Sequence, residues 1–163
     1  MMVEVSRART QLALHRLRPA TGGAGVPALL LLHEQLGSAD DWREDVETGA
    51  VGWPEGGAVF ALDLSGHGAS QWCRSSVYWP EGFAADADAA LAVIDGPCCA
   101  AGRGLGAYVA LLVAGARHAS VPAAALLPGR GLAGGGPEPD LSGRLPELPA
   151  RGAPETDGAD PRV

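Results

Sequence analysis

The hydrophobic positions along this chain switch between two periods. Ala28-Leu-Leu-Leu-Leu32 is apolar at every position, preceded by a glycine-rich stretch and followed by a polar turn. A short unbroken apolar run between turn signals predicts a strand buried on both faces, as in a parallel sheet. Upstream, Val3 to Val5 and Gln11 to Leu17 predict two weaker strands, paired as a hairpin at the sheet edge. Val59-Phe-Ala-Leu-Asp63 predicts a further strand, which runs into the turn Gly66-His67-Gly68. Between these, Ser38 followed by acidic residues reads as the N-cap of a helix.

From Pro80 onward the period lengthens. Phe83, Ala87, Ala90, Leu91 and Ile94 recur at three- and four-residue steps, the signature of a helix with one buried face, opened by Pro80 or Glu81. A short strand follows over 97–101. A second helix is expected over 106–117 with Tyr108, Leu111 and Leu112 on its inner side, and a last strand from Ala123 to Leu127. Strands alternating with helices in this order predict an α/β fold, a mostly parallel sheet flanked by helices. Beyond Pro128 glycine and proline dominate and periodicity stops, so residues 128–163 are expected to form a disordered tail behind a single domain of residues 1–127. No internal repeat is visible.

Composition narrows the partners. The formal net charge of −7 and the scattered arginines argue against nucleic acid or an anionic membrane surface. The absence of lysine and asparagine, with abundant Ala, Gly, Arg and Pro, reads as codon bias in a GC-rich genome. Three cysteines, two of them adjacent (Cys98 and Cys99), make no disulfide framework and fit a reducing compartment. The N-terminus lacks a signal-peptide core. The run Ala28 to Leu32 is far short of the ~20 residues that cross a bilayer. A cytoplasmic, soluble protein is therefore expected. No pair of His or Cys residues has metal-ligand spacing, so no metal is expected.

Three segments, taken in order, carry a resemblance. They are Leu29-Leu-Leu-Leu-His33-Glu34 with the following Gly37-Ser-Ala-Asp-Asp-Trp42, then Asp63-Leu-Ser-Gly66-His67-Gly68-Ala-Ser70, then Gly102-Arg-Gly104-Leu105-Gly106. Together they resemble the α/β-hydrolase family over about two thirds of the sequence. The resemblance implies the N-terminal part of that fold and, for an intact relative, cleavage of an ester or amide bond without a cofactor. It places Gly102–Gly106 at the nucleophile elbow, the G-x-S-x-G turn between strand and helix. It makes His33, Glu34 and Leu105 candidates for the loops whose backbone N–H groups form an oxyanion hole.

The departures from the motif bear on the chemistry. The elbow's central position needs a nucleophilic atom, and here it is Gly104. An elbow strains a non-glycine residue by ~1–3 kcal/mol, which glycine removes. Glu34 sets a carboxylate beside the position where negative charge would develop. The family's acid and histidine follow the nucleophile; here His118 is the only later histidine, and Asp140, Asp157 and Asp160 lie in the tail. His33 and His67 read as structural loop residues, Cys98 and Cys99 as small apolar packing residues, and Cys73 as an unactivated loop thiol. No catalytic residue is assigned, and the expectation is a truncated, catalytically inactive domain. A small-molecule ligand is compatible with it. The uncharged strand from Ala123 to Leu127, left at the sheet edge, predicts self-association.

Two alternatives stand beside this. Gly102-x-Gly104-x-x-Ala107 also fits a dinucleotide-binding fingerprint of Rossmann type, although it falls late in the order of elements and lacks the acidic residue about 20 positions on. A non-catalytic protein reusing the fold, or the frameshifted product of a decayed gene, equally accounts for the missing nucleophile.

Overall fold

The computed structural model describes residues 1–22, 25–72 and 78–131. Six strands form one sheet. They are β1 (Met2–Arg7), β2 (Thr10–Arg18), β3 (Ala28–Leu32), β4 (Val59–Leu62), β5 (Cys98–Arg103) and β6 (Ala124–Leu127), in the spatial order β1-β2-β4-β3-β5-β6. The β1–β2 hairpin joins β4 antiparallel, and β4, β3, β5 and β6 run parallel. All five residues of β3 are buried, because strands flank it on both edges and other residues pack over both of its faces. Its even-numbered leucines, Leu30 and Leu32, join a core with α2 (Pro80–Leu91) and α3 (Leu105–Ala116). Leu29 and Leu31 face Trp42, Ala39 and Val59 on the other side. The unbroken apolar run thus serves two cores at once.

The expected helix after Ser38 starts as a 3-10 turn, Ala39–Trp42, and continues as α1, Arg43–Glu47. Ser38 caps it with a reciprocal capping box: the Ser38 hydroxyl accepts from the turn backbone, and Asp41 accepts from the Ser38 N–H. Helix α2 begins with Pro80 at its first turn and ends at Leu91, earlier than the periodicity suggests. Ile94 still reaches the core, from the turn that follows. On the inner face of α2, Asp86 is fully buried between Arg7 of β1, with which it pairs, and the backbone N–H of Ser65, 2.9 Å from its Oδ2. Burial pushes the Asp86 carboxyl above the ordinary range, while the hydrogen bonds from Ser65 and the charge of Arg7 pull it back.

Helix α3 corrects one expectation. Tyr108 and Leu111 point outward, at 36% and 50% exposure, and Leu112 is only half-buried. The inner side is instead Leu105, Gly106, Val109, Ala110 and Val113. Both stripes have helical spacing in an almost wholly apolar helix, so periodicity cannot choose between them. Contact distance does choose. A Cβ on Gly106 would collide with the carbonyl oxygens of Leu32 and His33, and one on Gly102 would collide with the backbone of Gly106 and Ala107. Only the face that carries Gly106 lets the start of the helix lie against the strands.

Strand β6 closes the order of the described sheet, with Leu126 and Leu127 at 50% and 39% exposure. Most of the expected tail, residues 132–163, lies outside the described residues, as does Cys73. Residues 128–131 do not break away from the domain; they turn back over the first turn of α3. Among the described residues no helix is long and apolar enough to cross a membrane.

The close approach of α3 predicts opposite outcomes at two glycines of one helix. Gly106→Ala should destabilise the fold by about 1–3 kcal/mol through overpacking. Gly115→Ala, with nothing near its Cβ, should stabilise it by roughly 0.5–1 kcal/mol through helix propensity. Urea denaturation checks both: the midpoint should fall for the first and rise for the second, with unchanged m.

Candidate functional site

The C-terminal ends of parallel strands are where an open α/β sheet presents its loops. Here β3 ends in His33-Glu34-Gln35, β4 runs into Asp63 and the turn after it, and β5 meets α3 at Gly104. Gly104 has φ 52 and ψ −117, a conformation an L-residue adopts only under strain. The sharp reversal sets the first backbone N–H groups of α3 toward the loop after β3.

Donors from these two places meet on one atom. Leu105 donates to the carbonyl oxygen of Arg130 at 2.8 Å, and Gln35 donates to the same oxygen at 3.3 Å. The loop candidates thus divide. Leu105 contributes a backbone donor, but the matching donor after β3 is Gln35, a residue that no motif in the sequence marks. Its signal is positional only, since any residue but proline has a backbone N–H. Glu34 takes the opposite part to a donor: its Oε2 accepts from the Arg130 N–H at 2.8 Å, and its Oε1 lies 3.7 Å from the Arg130 guanidinium Nε. Arg130 reaches this position because the backbone continues in register past the last pair of β6, with Gly104 N–H donating to the Leu127 carbonyl at 3.1 Å. A Cβ on Gly104 would overlap the Arg130 carbonyl oxygen and the Gly129 backbone.

The histidines are engaged elsewhere. His33 is buried, and its ring is used at both nitrogens: Nε2 accepts from the Leu64 N–H at 3.1 Å, so Nδ1 carries the proton and donates to the Glu34 carbonyl at 2.7 Å. Burial holds its pKa below 6.5, against smaller raising contributions from the Glu34 backbone hydrogen bond and nearby carboxylates. It is a neutral strut between two loops. His67 packs its ring 4.9 Å from that of His33 and donates from Nδ1 to the Ser65 carbonyl at 3.2 Å.

An Asp–His pair does exist, on the wrong strands. His15 Nε2 lies 2.9 Å from Asp63 Oδ2, and the same carboxylate accepts the N–H groups of Ala39 at 2.7 Å and Ala69 at 2.9 Å. Asp63 thereby ties β2, the start of the 3-10 turn and the turn after β4 together. β2 lies three strand positions from β5, about 14 Å at the usual ~4.8 Å spacing, too far for His15 to serve Gly104. His118 is exposed beyond the far end of α3, whose 12 residues span about 18 Å. Asp140, Asp157 and Asp160 lie outside the described residues.

Cys98 is buried and its thiol is pushed up to about 12 by burial, so it packs as a small apolar residue; Cys99 is half-buried and shifted in the same direction by the same cause. Among the described residues no group of three or more His, Cys, Asp or Glu side groups gathers to hold a metal ion. An apolar cavity of about 470 Å³ opens on the other sheet face, lined by Leu29, Leu31, Trp42, Trp53, Cys99 and Leu127 among others, and Gly104 does not line it. At its rim Arg103 is fixed by Asp45 at 2.5 Å and by the face of Trp42, 4.1 Å from its guanidinium.

No family model and no curated protein matches the sequence. Solved structures do match the fold. A bacterial membrane phospholipase A described as a virulence factor superposes with a TM-score of 0.66 over 80% of this protein, at 24% identity. The thioesterase domain from the curacin biosynthetic pathway gives 0.63 over 77% at 25% identity. Mouse alpha/beta hydrolase domain-containing protein 10 gives 0.61 over 78% at 23% identity. The protein spans only 40%, 45% and 48%, respectively, of those structures' lengths.

The His33 strut carries a pH dependence. Its folded pKa lies below its unfolded value of 6.5, so the unfolded state binds the proton first. The stabilisation is therefore complete above pH 6.5 and is lost as pH falls from there toward the lowered folded value. Urea midpoints at a series of pH values should show a decline below 6.5 that is reduced in His33→Gln; an identical slope in both proteins would remove His33 as its source.

Proposed function

This protein has the α/β-hydrolase fold, and from that premise we propose that it is a non-catalytic member of the ester- and amide-hydrolase class. The observation that carries this reading is Gly104. It stands at the strand-to-helix turn with the strained dihedrals of an elbow and no atom that could form an acyl bond. Among the described residues, the groups nearest to it are not arranged for acyl transfer. The loop histidine at the end of β3, His33, has both nitrogens committed and is held neutral by burial. The Asp63–His15 pair serves the β2 side of the sheet. Glu34 presents a carboxylate within reach of the point where an oxyanion would form, which opposes rather than stabilises developing charge.

The dinucleotide reading of Gly102, Gly104 and Ala107 finds less support. Its glycines lie where the fifth strand meets α3, not in a first βα unit, and a pyrophosphate at the start of α3 would have to displace the Arg130 carbonyl. The glycines have a steric use without any nucleotide, since Gly102 and Gly106 admit the helix to the sheet.

The wild-type protein should show no hydrolysis of p-nitrophenyl acetate or butyrate above buffer and no covalent labelling by a fluorophosphonate probe. Gly104→Ser should remain inactive, because a serine hydroxyl without an adjacent base is a weak nucleophile. Turnover by either protein, with labelling at position 104, would overturn the reading. Calorimetric titration with NADH and NADPH should give no binding heat; saturable binding abolished by Gly104→Val would favour the nucleotide alternative.

A further inference from the structure

The peptide segment that crosses the elbow is held at every backbone polar group of one residue. Arg130 offers a backbone N–H and a backbone carbonyl. The Glu34 carboxylate accepts from the first at 2.8 Å, while the Leu105 and Gln35 N–H groups both donate to the second. Two donors and one acceptor, contributed by the loop after β3 and the first turn of α3, thus converge on a single residue. The Arg130 guanidinium is largely exposed and approaches Glu34 alone among the described carboxylates.

The fit is steric as well as polar, and glycines on both partners make it. With only hydrogen on the α-carbon of residue 104, the Arg130 carbonyl can lie directly over the elbow. On the segment, a Cβ at Gly129 would meet Glu34 Oε2 at 2.7 Å and Gly104 N at 2.8 Å. A Cβ at Gly131 would meet the Cβ atoms of Gln35 and Leu105 at 2.8 and 2.9 Å, and its φ of 83 is itself in the region that favours glycine. Gly129-Arg130-Gly131 therefore presents a bare backbone on either side of the residue that is bound.

We propose that the elbow of this protein is a backbone receptor, a clamp of Glu34, Gln35 and Leu105 over Gly104, whose ligand is the protein's own Gly129-Arg130-Gly131 segment. This rests on the non-catalytic reading of Gly104 and gives the two departures from the hydrolase motif one shared purpose. Glycine at 104 makes room for the carbonyl, and glutamate at 34, unfavourable beside an oxyanion, suits a position facing an N–H donor and a guanidinium. The segment occupies the point where an acyl group would be polarised, so the clamp also closes the elbow to substrates from outside.

The test uses the full-length protein, labelled with ¹⁵N and ¹³C. A scalar coupling across the hydrogen bond should connect the Leu105 amide nitrogen to the Arg130 carbonyl carbon, and the Leu105 amide should exchange slowly with solvent. Gly104→Ala, Glu34→Ala and Gly131→Val should each abolish the coupling and speed Leu105 exchange by about tenfold or more, while the Leu31 and Leu62 amides of the sheet keep their protection. Glu34→Gln, which retains an accepting oxygen, should restore much of the protection lost in Glu34→Ala. Where Gly104→Ala also exposes Leu31, the two variants outside the elbow decide. Absence of the coupling in the wild type, or unchanged Leu105 exchange in Glu34→Ala and Gly131→Val, would overturn the proposal. None of these readings depends on hydrolysis, so an active enzyme with an intact clamp and an inactive protein without one give different results.

Discussion

The backbone contact between the start of α3 and the ends of β3 and β5 is the constraint from which the rest of this structure follows. Gly102 and Gly106 bring backbone against backbone, closer than any Cβ would permit. That approach fixes the turn between them, and with it the positive φ and unusual ψ at Gly104. It also fixes which side of an almost uniformly apolar helix faces inward, since the side that carries Gly106 must be the one against the strands.

With the helix so placed, its first N–H groups have no carbonyl one turn earlier to bind, and they point at the loop after β3. What meets the first of them, that of Leu105, is a peptide carbonyl. The Arg130 oxygen takes up the Leu105 and Gln35 donors, and Glu34 takes up the N–H of the same residue. The loops around this point are stiffened in turn by groups whose chemistry is spent on structure. His33 joins the loop after β3 to the turn after β4, and Asp63 gathers β2, the 3-10 turn and the segment at Ala69. The His33 ring accepts one backbone N–H and donates to one backbone carbonyl, while the Asp63 carboxylate accepts two backbone N–H groups and lies against His15.

Much of the sheet was legible in the amino-acid order, because the signals that specify it are local. The leucine run of β3, the hairpin of β1 and β2, the capped turn at Ser38 and the proline-opened α2 each follow from a period or a cap that needs no distant partner. The family resemblance rests on the same kind of signal, glycines and polar residues at fixed offsets around strand ends. Asp86 was not legible. It sits in α2 among alanines, with nothing nearby in sequence to mark it as buried, and its partners Arg7 and Ser65 come from other elements.

Residue type alone, read within a few positions, specifies the strand and helix order and puts a residue with no side chain, Gly104, between β5 and α3. The inward face of α3, the choice of Gln35 as the second donor, the neutrality of His33 and the return of residues 129–131 over the elbow were decided only by the tertiary structure. All four depend on groups brought together across dozens of residues, most of them backbone, and a backbone N–H or carbonyl looks the same at every position of a sequence.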